Sequence, residues 1–397
     1  MRHKQTGPAS PVCLCLLLKS WYTETMVKYS SIGGILLLLV LGGAFIIGGR
    51  MLPKEQLQEN SFAEETNGSP ETSEYETPIE PSQLPIALPT GEARTLLAED
   101  GELLKTPSGR QMYVTNRTKH SIMIEEILSG GPPKDGIPSI DKPQFVAIGE
   151  TDFIDDQEIG LGLYYKGEAR FYPFQILVHH ELVNDRVAGD PLLISYCPLC
   201  RTAIVFDRIV NGVTMQFGVS GLLWQSNVLM YNRTGNPDTE SLWSQVLGEA
   251  VLGPETGTKL RIVRSDAVRF GDWKREHPET RVLSRDTGHI RNYSVDPYGD
   301  YYTDNNAVSF GVEFTDTRLP AKELVLGIVW EGVYKAYPIT QLKTGRTQDT
   351  FNGTIITIEK HETGTVEVLV DGEPYPYIEA FWFSWVAVHP QTEVFEL

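Results

Sequence analysis

The sequence predicts an α+β fold that is rich in β-strands and internally duplicated, behind one N-terminal transmembrane helix. Short apolar runs rich in Val, Ile, Phe and Tyr recur with turn residues at roughly ten-residue intervals, which is typical of strands. Two long stretches of the chain resemble each other, which indicates a duplication. An uncharged apolar run near the N-terminus predicts the transmembrane helix.

Composition divides the chain into four segments. A short basic segment covers 1–29, and the run IGGILLLLVLGGAFIIGG lies within 30–50. An acidic tether rich in Pro, Ser and Thr covers 51–105, and the folded domain covers 106–397. The tether has too few large apolar residues to order itself. Basic residues before the apolar run place the N-terminus in the cytoplasm and the folded domain outside.

We therefore expect a single-pass protein of the cell membrane that contacts the lipid bilayer through its N-terminal helix. A cleaved signal peptide is the alternative, although no clear cleavage site follows the run. The 397 residues carry a formal net charge of −18, so we expect no nucleic-acid partner, because phosphate binding needs clustered Lys and Arg. The sequence has no phosphate loop or dinucleotide fingerprint, and it does not indicate which cofactor, if any, the protein binds.

The internal repeat joins GLGLYYKGEARFYPFQIL at 160–177 to VLGIVWEGVYKAYPITQL at 325–342, and further matches follow in the same order. Chance similarity is the alternative, but ordered matches favour a duplication. The first repeat covers about 145–285 and the shorter second repeat about 310–397. Residues confined to the first repeat are the better candidates for function, because shared residues are more often structural.

Three short helices are predicted among the strands. A proline in the first turn favours a helix at 173–183, and Ser265 or Asp266 is a suitable N-cap for a helix at 265–276. A third helix is predicted at 241–247.

The chain is organised around a Cys-Pro-Leu-Cys motif at Cys197 and Cys200. The apolar runs PLLISY and TAIVF flank it, which predicts a strand, a tight turn and a second strand. In the second repeat, His361 occupies the position of Cys197 and Gly364 occupies the position of Cys200. Because a strand follows the motif, where thioredoxin has a helix, a thioredoxin fold is not implied.

Three interpretations of the two cysteines stay open. The pair can be a reversible dithiol and disulfide, in which Cys197 is the more exposed, attacking sulfur and Cys200 resolves the mixed disulfide. It can hold a metal ion, with His180, His179 or a distant histidine as a further ligand, because no other cysteine pair follows the membrane segment. It can also be a static disulfide.

Polar residues around the motif are candidates for supporting roles. His180 can act as a base toward a thiol, with a carboxylate to orient it, and the adjacent Arg201 can favour a thiolate. The alternative is that His180 caps or packs and that Asn-Asp forms a turn. The residues that accompany His180 just before the motif are Glu181, Asn184 and Asp185.

A second candidate group follows a Ser-Gly turn at 220–221. Trp224, Ser226 and Asn227 can line a pocket beside the dithiol. An aromatic core strand with a polar turn is the alternative interpretation.

Several long blocks of this chain resemble one family. The blocks HHELVND, YCPLCRTAIVFDR, FGVSGLLWQSNVLMYNR, SLWSQVLGEAVLGP and ILSGGPPKDGIPSID are similar to the domain of unknown function 3179, over about 107–397. Some members are described as selenoproteins with selenocysteine in the Cys motif, which implies a redox or nucleophilic role. This chain has cysteine at both positions.

We therefore expect a membrane-anchored extracytoplasmic protein with a thiol redox site at Cys197, Cys200 and His180, serving a thiol or electron-transfer partner. If the protein is an enzyme, it is a thiol-dependent oxidoreductase. The alternative is a non-catalytic metal-binding or ligand-binding module.

The predicted orientation can be tested by proteolysis. Protease added to intact cells should cleave within 53–105 and release a fragment that contains the folded domain, because a solvated tether is more open to cleavage than packed strands. Mass spectrometry of the released material checks the cleavage site. Protection of the folded domain until the cells are lysed would show that the orientation is wrong.

Overall fold

The computed structural model describes residues 94–95, 102–106, 109–114, 118–305 and 308–396. This part of the chain is β-rich with few helices, as predicted. The predicted transmembrane helix and the segment before it lie outside the described residues. Within the ranges given, no helix is long and apolar enough to cross a membrane.

Among the residues that the structure describes, twenty strands form before residue 284. They are β1 (Arg94–Thr95), β2 (Glu102–Thr106), β3 (Gly109–Val114), β4 (Lys119–His120), β5 (Leu128–Ser129), β6 (Phe145–Ala147), β7 (Ile159–Tyr165), β8 (Glu168–Pro173), β9 (Leu182–Val187), β10 (Asp190–Cys197), β11 (Thr202–Asp207), β12 (Ile209–Val210), β13 (Val213–Thr214), β14 (Phe217–Trp224), β15 (Asn227–Asn232), β16 (Leu242–Ser244), β17 (Glu249–Leu252), β18 (Ile262–Val263), β19 (Asp266–Arg269) and β20 (Arg281–Leu283).

Eight more strands follow in the described residues: β21 (Leu324–Trp330), β22 (Val333–Pro338), β23 (Gly345–Phe351), β24 (Thr354–Lys360), β25 (Val366–Val370), β26 (Glu373–Pro374), β27 (Ile378–Phe381) and β28 (Glu393–Val394). The α-helices are α1 (Phe174–Leu177), α2 (Phe270–Glu276) and α3 (Trp382–Val388). Single 3₁₀ turns occur at Ile124–Glu126, Ile148–Glu150, Pro237–Thr239 and Gly299–Tyr302.

The described strands make five sheets of four or more strands. Their strand orders are β19-β7-β8-β20-β6 (sheet I), β18-β11-β10-β9 (sheet II), β1-β4-β17-β16-β15-β14-β5 (sheet III), β27-β21-β22-β28 (sheet IV) and β23-β24-β25-β26 (sheet V). Two ribbons, β2-β3 and β12-β13, complete the list. Small, mostly antiparallel sheets of this kind resemble the blades of a propeller.

The strands predicted on either side of the cysteines are confirmed as β10 and β11, but the three helix predictions need correction. Residues 173–183 are helical only over α1, because β9 begins at Leu182 and pairs with β10. Residues 241–247 contain β16, which pairs with β15 and β17. In 265–276 the helix begins at Phe270 after Arg269, because Asp266–Arg269 pair with β7. Strand pairing outweighs local helix propensity in each segment.

Sheets I and IV have the same construction, which supports the internal repeat. In both, two antiparallel pairings are followed by one parallel pairing, in the orders β19-β7-β8-β20 and β27-β21-β22-β28. Trp273 in α2 donates its indole N–H to Thr280 at 2.9 Å, and Trp385 in α3 donates to Thr392 at 2.9 Å. The boundaries of the two repeats stay a prediction.

Each of these tryptophans lies on a strand glycine. A Cβ atom on Gly162 would stand 2.5 Å from the Trp273 ring, and one on Gly327 would stand still closer to Trp385. Both indoles are fully buried. Glycine is therefore required at both positions because the ring occupies the space of a side chain.

The largest apolar cluster lies where sheets II, III and IV meet. It includes Cys197 and Cys200 together with Trp243, Trp382 and Trp385. Separate clusters lie between sheets I and II and between sheets IV and V. The dithiol turn is therefore part of the core.

Replacing Gly327 by Ala should lower the free energy of unfolding by about 1–3 kcal/mol, because the added methyl overlaps the indole of Trp385. Gly162→Ala should have an effect of similar size. Denaturant unfolding followed by tryptophan fluorescence measures the change.

Gly149→Ala is the matched control, because a Cβ atom there meets open space and the backbone does not adopt a positive φ. It should change the free energy of unfolding by less than about 0.5 kcal/mol. Equal effects at Gly149 and Gly327 would contradict the packing argument.

Candidate functional site

A tight turn between β10 and β11 brings the two cysteines together. Cys197 pairs with Thr202 across the hairpin, and the Cys200 N–H donates to the Cys197 carbonyl at 3.2 Å. Arg201 adopts a φ of 50°, which lets the chain turn back into β11. The two sulfurs are 3.0 Å apart as free thiols, and the Cys197 S–H donates to Cys200.

The turn is buried and held from outside. Cys197 is 1% exposed and Cys200 0%, so both sulfurs are buried and exposure does not single out Cys197 as the attacking sulfur. The Tyr301 hydroxyl donates to the Leu199 carbonyl at 2.8 Å, and the Phe381 N–H donates to the Cys200 carbonyl at 2.9 Å. Water is thus replaced by protein groups around the turn.

The β14-β15 hairpin delivers polar groups to Cys200. Gln225 and Ser226 have φ values of 50° and 59°, which is typical of a two-residue hairpin turn with a left-handed backbone. The Ser226 carbonyl lies 3.1 Å from the Cys200 sulfur and accepts its S–H. The Asn227 side-chain amide donates to the same sulfur at 3.4 Å.

Asn227 is oriented by a buried amide network. Its Nδ2 also donates to Gln245 Oε1 at 2.9 Å, and its Oδ1 accepts from the Val246 N–H at 3.1 Å. Gln245 donates in turn to Ser195 Oγ at 3.2 Å and to the Thr202 carbonyl at 3.1 Å. These bonds fix the Asn227 amide with its N–H toward the sulfur.

The surroundings make the two thiols unequal acids. Burial raises the pKa of Cys200, but the hydrogen bonds from Cys197 and Asn227, together with the nearby Ser384 hydroxyl, outweigh burial and lower that pKa below its ordinary value. Burial, followed by the hydrogen bond with Cys200 and its charge, raises the pKa of Cys197 well above its usual range. The first negative charge of the pair therefore resides on Cys200.

Glu181 and Cys197 line the same small cavity. The cavity has a volume of about 110 Å³ and is otherwise lined mostly by apolar side chains, among them Leu199, Val219 and Tyr298. Glu181 is 5% exposed and its Oε2 has no hydrogen-bond partner. Burial raises the pKa of Glu181 to about 8, so the carboxyl is mostly protonated at neutral pH.

His180 does not stand against the sulfurs. Its Nδ1 lies 2.7 Å from the Pro138 carbonyl and its Nε2 2.7 Å from the Tyr293 hydroxyl, so both ring nitrogens have other partners. Burial lowers the pKa of His180 to about 4, so the ring is neutral. The structure therefore brings neither the ring nor a charge of His180 to the sulfurs, and its predicted role toward a thiol stays a prediction.

Asn184 and Asp185 hold the sheets together. Asn184 exchanges hydrogen bonds of 2.8 and 2.9 Å with the backbone of Phe217, which clips β9 to β14. Asp185 accepts from the Tyr172 hydroxyl at 2.7 Å, and the aligned Asp349 of the second repeat accepts from Tyr337 at 2.9 Å. A contact that both repeats share indicates a structural role for Asp185.

Arg201 and Trp224 also point elsewhere. Burial raises the pKa of Glu379 to about 7, and the charge of Arg201 opposes this rise. Trp224 donates its indole N–H to Glu126 at 2.7 Å. Of the predicted residues, Ser226, Asn227 and Glu181 are thus the ones beside the two cysteines.

Sequence reasoning missed Gln245, Ser384 and Tyr298. Gln245 lies within the block SLWSQVLGEAVLGP, which could have drawn attention to it. Ser384 comes from α3 of the second repeat, and its buried hydroxyl has no partner in good hydrogen-bond geometry. No local pattern connects Ser384 or Tyr298 to the cysteines.

A metal centre finds little support in the geometry. Among the side chains that the structure describes, no group of three or more His, Cys, Asp and Glu could hold a metal ion. The proposed ligand His180 is bonded to Pro138 and Tyr293 instead.

A larger cleft, of about 680 Å³, lies on the other side of β10. Tyr196, Tyr293 and Arg285 are among its lining residues. Tyr196 precedes Cys197 in the strand, and successive strand residues face opposite sides of the sheet. The Cys197 sulfur therefore faces the small cavity and not this cleft.

Comparison with known proteins gives one match. A family model described as "Protein of unknown function (DUF3179)" matches residues 134–373, which is more than half of the chain. Neither the curated proteins nor the solved structures contain a significant match.

Glu181 should make stability depend on pH. Its folded pKa is raised from 4.5 to about 8, so its contribution is fully present below pH 4.5 and is lost as the pH rises through 8. Within that window stability should fall by up to about 1.4 kcal/mol per pH unit. In Glu181→Gln this loss should disappear, as measured by denaturant unfolding at a series of pH values.

Glu279→Gln, at an exposed position, is the control and should follow the original protein at every pH. A constant difference between Glu181→Gln and the original protein across the window would show that Glu181 is not held neutral.

Proposed function

We propose that this chain, which belongs to the DUF3179 family, is a thiol redox protein whose Cys197 and Cys200 cycle between a dithiol and a disulfide. The observation that carries the proposal is the pair itself, two free sulfurs 3.0 Å apart, of which one accepts hydrogen bonds from the other and from Asn227. Such an arrangement favours a thiolate at Cys200.

The chemistry of the pair follows from these contacts. Oxidation removes two electrons and two protons from the thiols and forms one bond between the sulfurs, and reduction reverses this. A short turn keeps the sulfurs adjacent in both forms, so little backbone movement is needed. The partner is a thiol or another two-electron donor or acceptor.

Burial argues against a passive structural disulfide. Both sulfurs already lie in the largest apolar cluster, and a bridge across a turn of four residues closes a very small loop. The stabilisation gained from a disulfide is smallest for short loops. A cross-link here would add little to a core that three sheets already fix.

We also propose that the apolar run within 30–50 anchors the protein in the cell membrane with the redox domain outside. The support is the charge asymmetry of the sequence on the two sides of the run. An oxidising compartment is one in which a dithiol can be cycled by small oxidants and reductants.

Redox titration tests the proposed function. In a chain that carries Cys13→Ser and Cys15→Ser, only the pair at Cys197 and Cys200 can report. We expect a reversible transition when the protein is equilibrated with mixtures of methanethiol and dimethyl disulfide, which are small and uncharged. Alkylation after denaturation, read by mass spectrometry, should show both thiols free or both protected, because one bond links them.

Cys197→Ser and Cys200→Ser should each abolish the two-thiol transition, whereas Ser294→Ala, at an exposed position, should leave it unchanged. A pair that stays oxidised in every mixture would favour the static disulfide. Stoichiometric zinc or copper that is lost in Cys197→Ser would favour the metal-binding module.

A further inference from the structure

We propose that the cavity between Cys197 and Glu181 admits a small hydroperoxide, which Cys197 reduces while Glu181 gives a proton to the leaving oxygen. This inference rests on the proposed thiol redox function and names its substrate class. Three features support it: the size of the cavity, the position of the buried Glu181 carboxyl, and the Ser226 carbonyl, which can accept a hydrogen bond from the Cys200 S–H.

The size of the cavity selects a small substrate. Both sulfurs are at most 1% exposed, so a thiol or disulfide on another protein cannot approach them without opening the core. A volume of about 110 Å³ holds a few heavy atoms. For comparison, an engineered cavity of about 150 Å³ in another protein holds one benzene molecule. Hydrogen peroxide and short alkyl hydroperoxides are within this limit.

The apolar lining of the cavity favours an uncharged substrate. Apart from Glu181 and the Cys197 sulfur, the lining is mainly apolar, with Val219, Leu223 and Phe310 among its members. A charged oxidant would lose its hydration without a counter-ion, at a large cost in free energy. An uncharged hydroperoxide loses much less.

Glu181 is the feature that distinguishes a peroxide from a disulfide as the oxidant. Breaking an O–O bond expels an alkoxide or hydroxide, which is a very strong base and needs a proton in the transition state. A disulfide expels a thiolate, whose conjugate acid has a pKa of about 8.5, and it needs no such help. Burial raises the pKa of Glu181 to about 8, so this carboxyl carries a proton to give.

The unpartnered atom of Glu181 supports a ligand at this place. Its Oε2 is buried without a hydrogen-bond partner among the described residues. A buried polar atom without a partner costs about 1–3 kcal/mol. A hydroperoxide oxygen in the cavity would provide the missing partner.

The first step balances within the site. The reaction starts from the Cys200 thiolate, whose proton has already gone to solvent. The Cys197 proton passes to this thiolate along the 3.0 Å contact, and the Ser226 carbonyl, 3.1 Å away, accepts the new Cys200 S–H. The Cys197 thiolate then attacks the terminal oxygen of ROOH and the O–O bond breaks. The leaving RO⁻ takes the Glu181 proton and becomes ROH. Sulfur is oxidised by two electrons, the peroxide is reduced, and a sulfenic acid remains at Cys197.

The second step closes the disulfide. The Cys200 sulfur attacks the Cys197 sulfur, the S–O bond breaks, and the departing hydroxide leaves as water with the Cys200 proton. One peroxide is consumed for each pair, and Glu181 is left ionised until it takes a proton from solvent. Two molecules of a low-molecular-weight thiol then restore the dithiol by exchange and become a disulfide.

Rapid mixing of the reduced protein with oxidants tests the proposal, again in the chain that carries Cys13→Ser and Cys15→Ser. Loss of the two thiols is followed by quenching, alkylation and mass spectrometry. Hydrogen peroxide and tert-butyl hydroperoxide should oxidise the pair at least about 100-fold faster than a free small thiol. Cumene hydroperoxide should react much more slowly, because it is larger than benzene.

Glu181→Gln should slow oxidation by hydrogen peroxide by about 100-fold or more and should hardly change oxidation by dimethyl disulfide, which needs no acid. Val219→Ile, which adds one methylene to the wall, should slow tert-butyl hydroperoxide more than hydrogen peroxide. Glu279→Gln is the matched surface control, and denaturant unfolding verifies that each variant is folded.

The outcomes separate the two proposals. If dimethyl disulfide oxidises the pair reversibly but peroxides react no faster than with a free thiol, or if Glu181→Gln has no selective effect, the hydroperoxide inference is overturned and the redox function stands. If no oxidant forms a reversible disulfide, the redox function itself fails.

Discussion

The exclusion of water from the Cys197–Cys200 turn is the constraint on which the rest of the structure depends. Three sheets converge on this turn, so its polar groups must find protein partners. Tyr301 and the Phe381 backbone satisfy its carbonyls, and the β14-β15 hairpin reaches the sulfur of Cys200. These contacts explain why a turn of only four residues draws on elements that are distant in sequence.

The same constraint leaves a small number of groups unsatisfied beside the sulfurs. Glu181 Oε2, Ser226 Oγ and Ser384 Oγ are all buried without a hydrogen-bond partner in the described structure. Each lowers the free energy of unfolding relative to an apolar side chain of similar size at the same place. Polar atoms that are costly to folding and that gather at one place indicate chemistry there, because the sheets themselves do not need them.

Sheets I and IV share features that support the predicted repeat, and the candidate site lies where the two predicted repeats differ. Sheets I and IV repeat the packing of a tryptophan on a strand glycine, and the Tyr172–Asp185 contact recurs as Tyr337–Asp349. Within the two predicted repeats, the dithiol and strands β14 to β17 of sheet III belong to the first alone, yet Ser384 and Phe381 reach the turn from the second. The candidate site therefore requires both repeats, although only one of them carries the cysteines.

The sequence by itself determined the β-rich fold, the family resemblance, the two strands that flank the cysteines and the pairing of the sulfurs in one turn, because these depend on residue types and on spacing along the chain. Only the tertiary structure decided the rest. The segment 241–247 contains a strand because a partner strand lies beside it. The His180 ring contacts Tyr293, whereas its neighbour Glu181 lines the cavity. Which Cys ionises first also depends on groups far along the chain, such as Asn227 and Ser384. Hydrogen bonds and burial act over a few ångströms in space, and residues separated by more than a hundred positions leave no local pattern from which such contacts can be predicted.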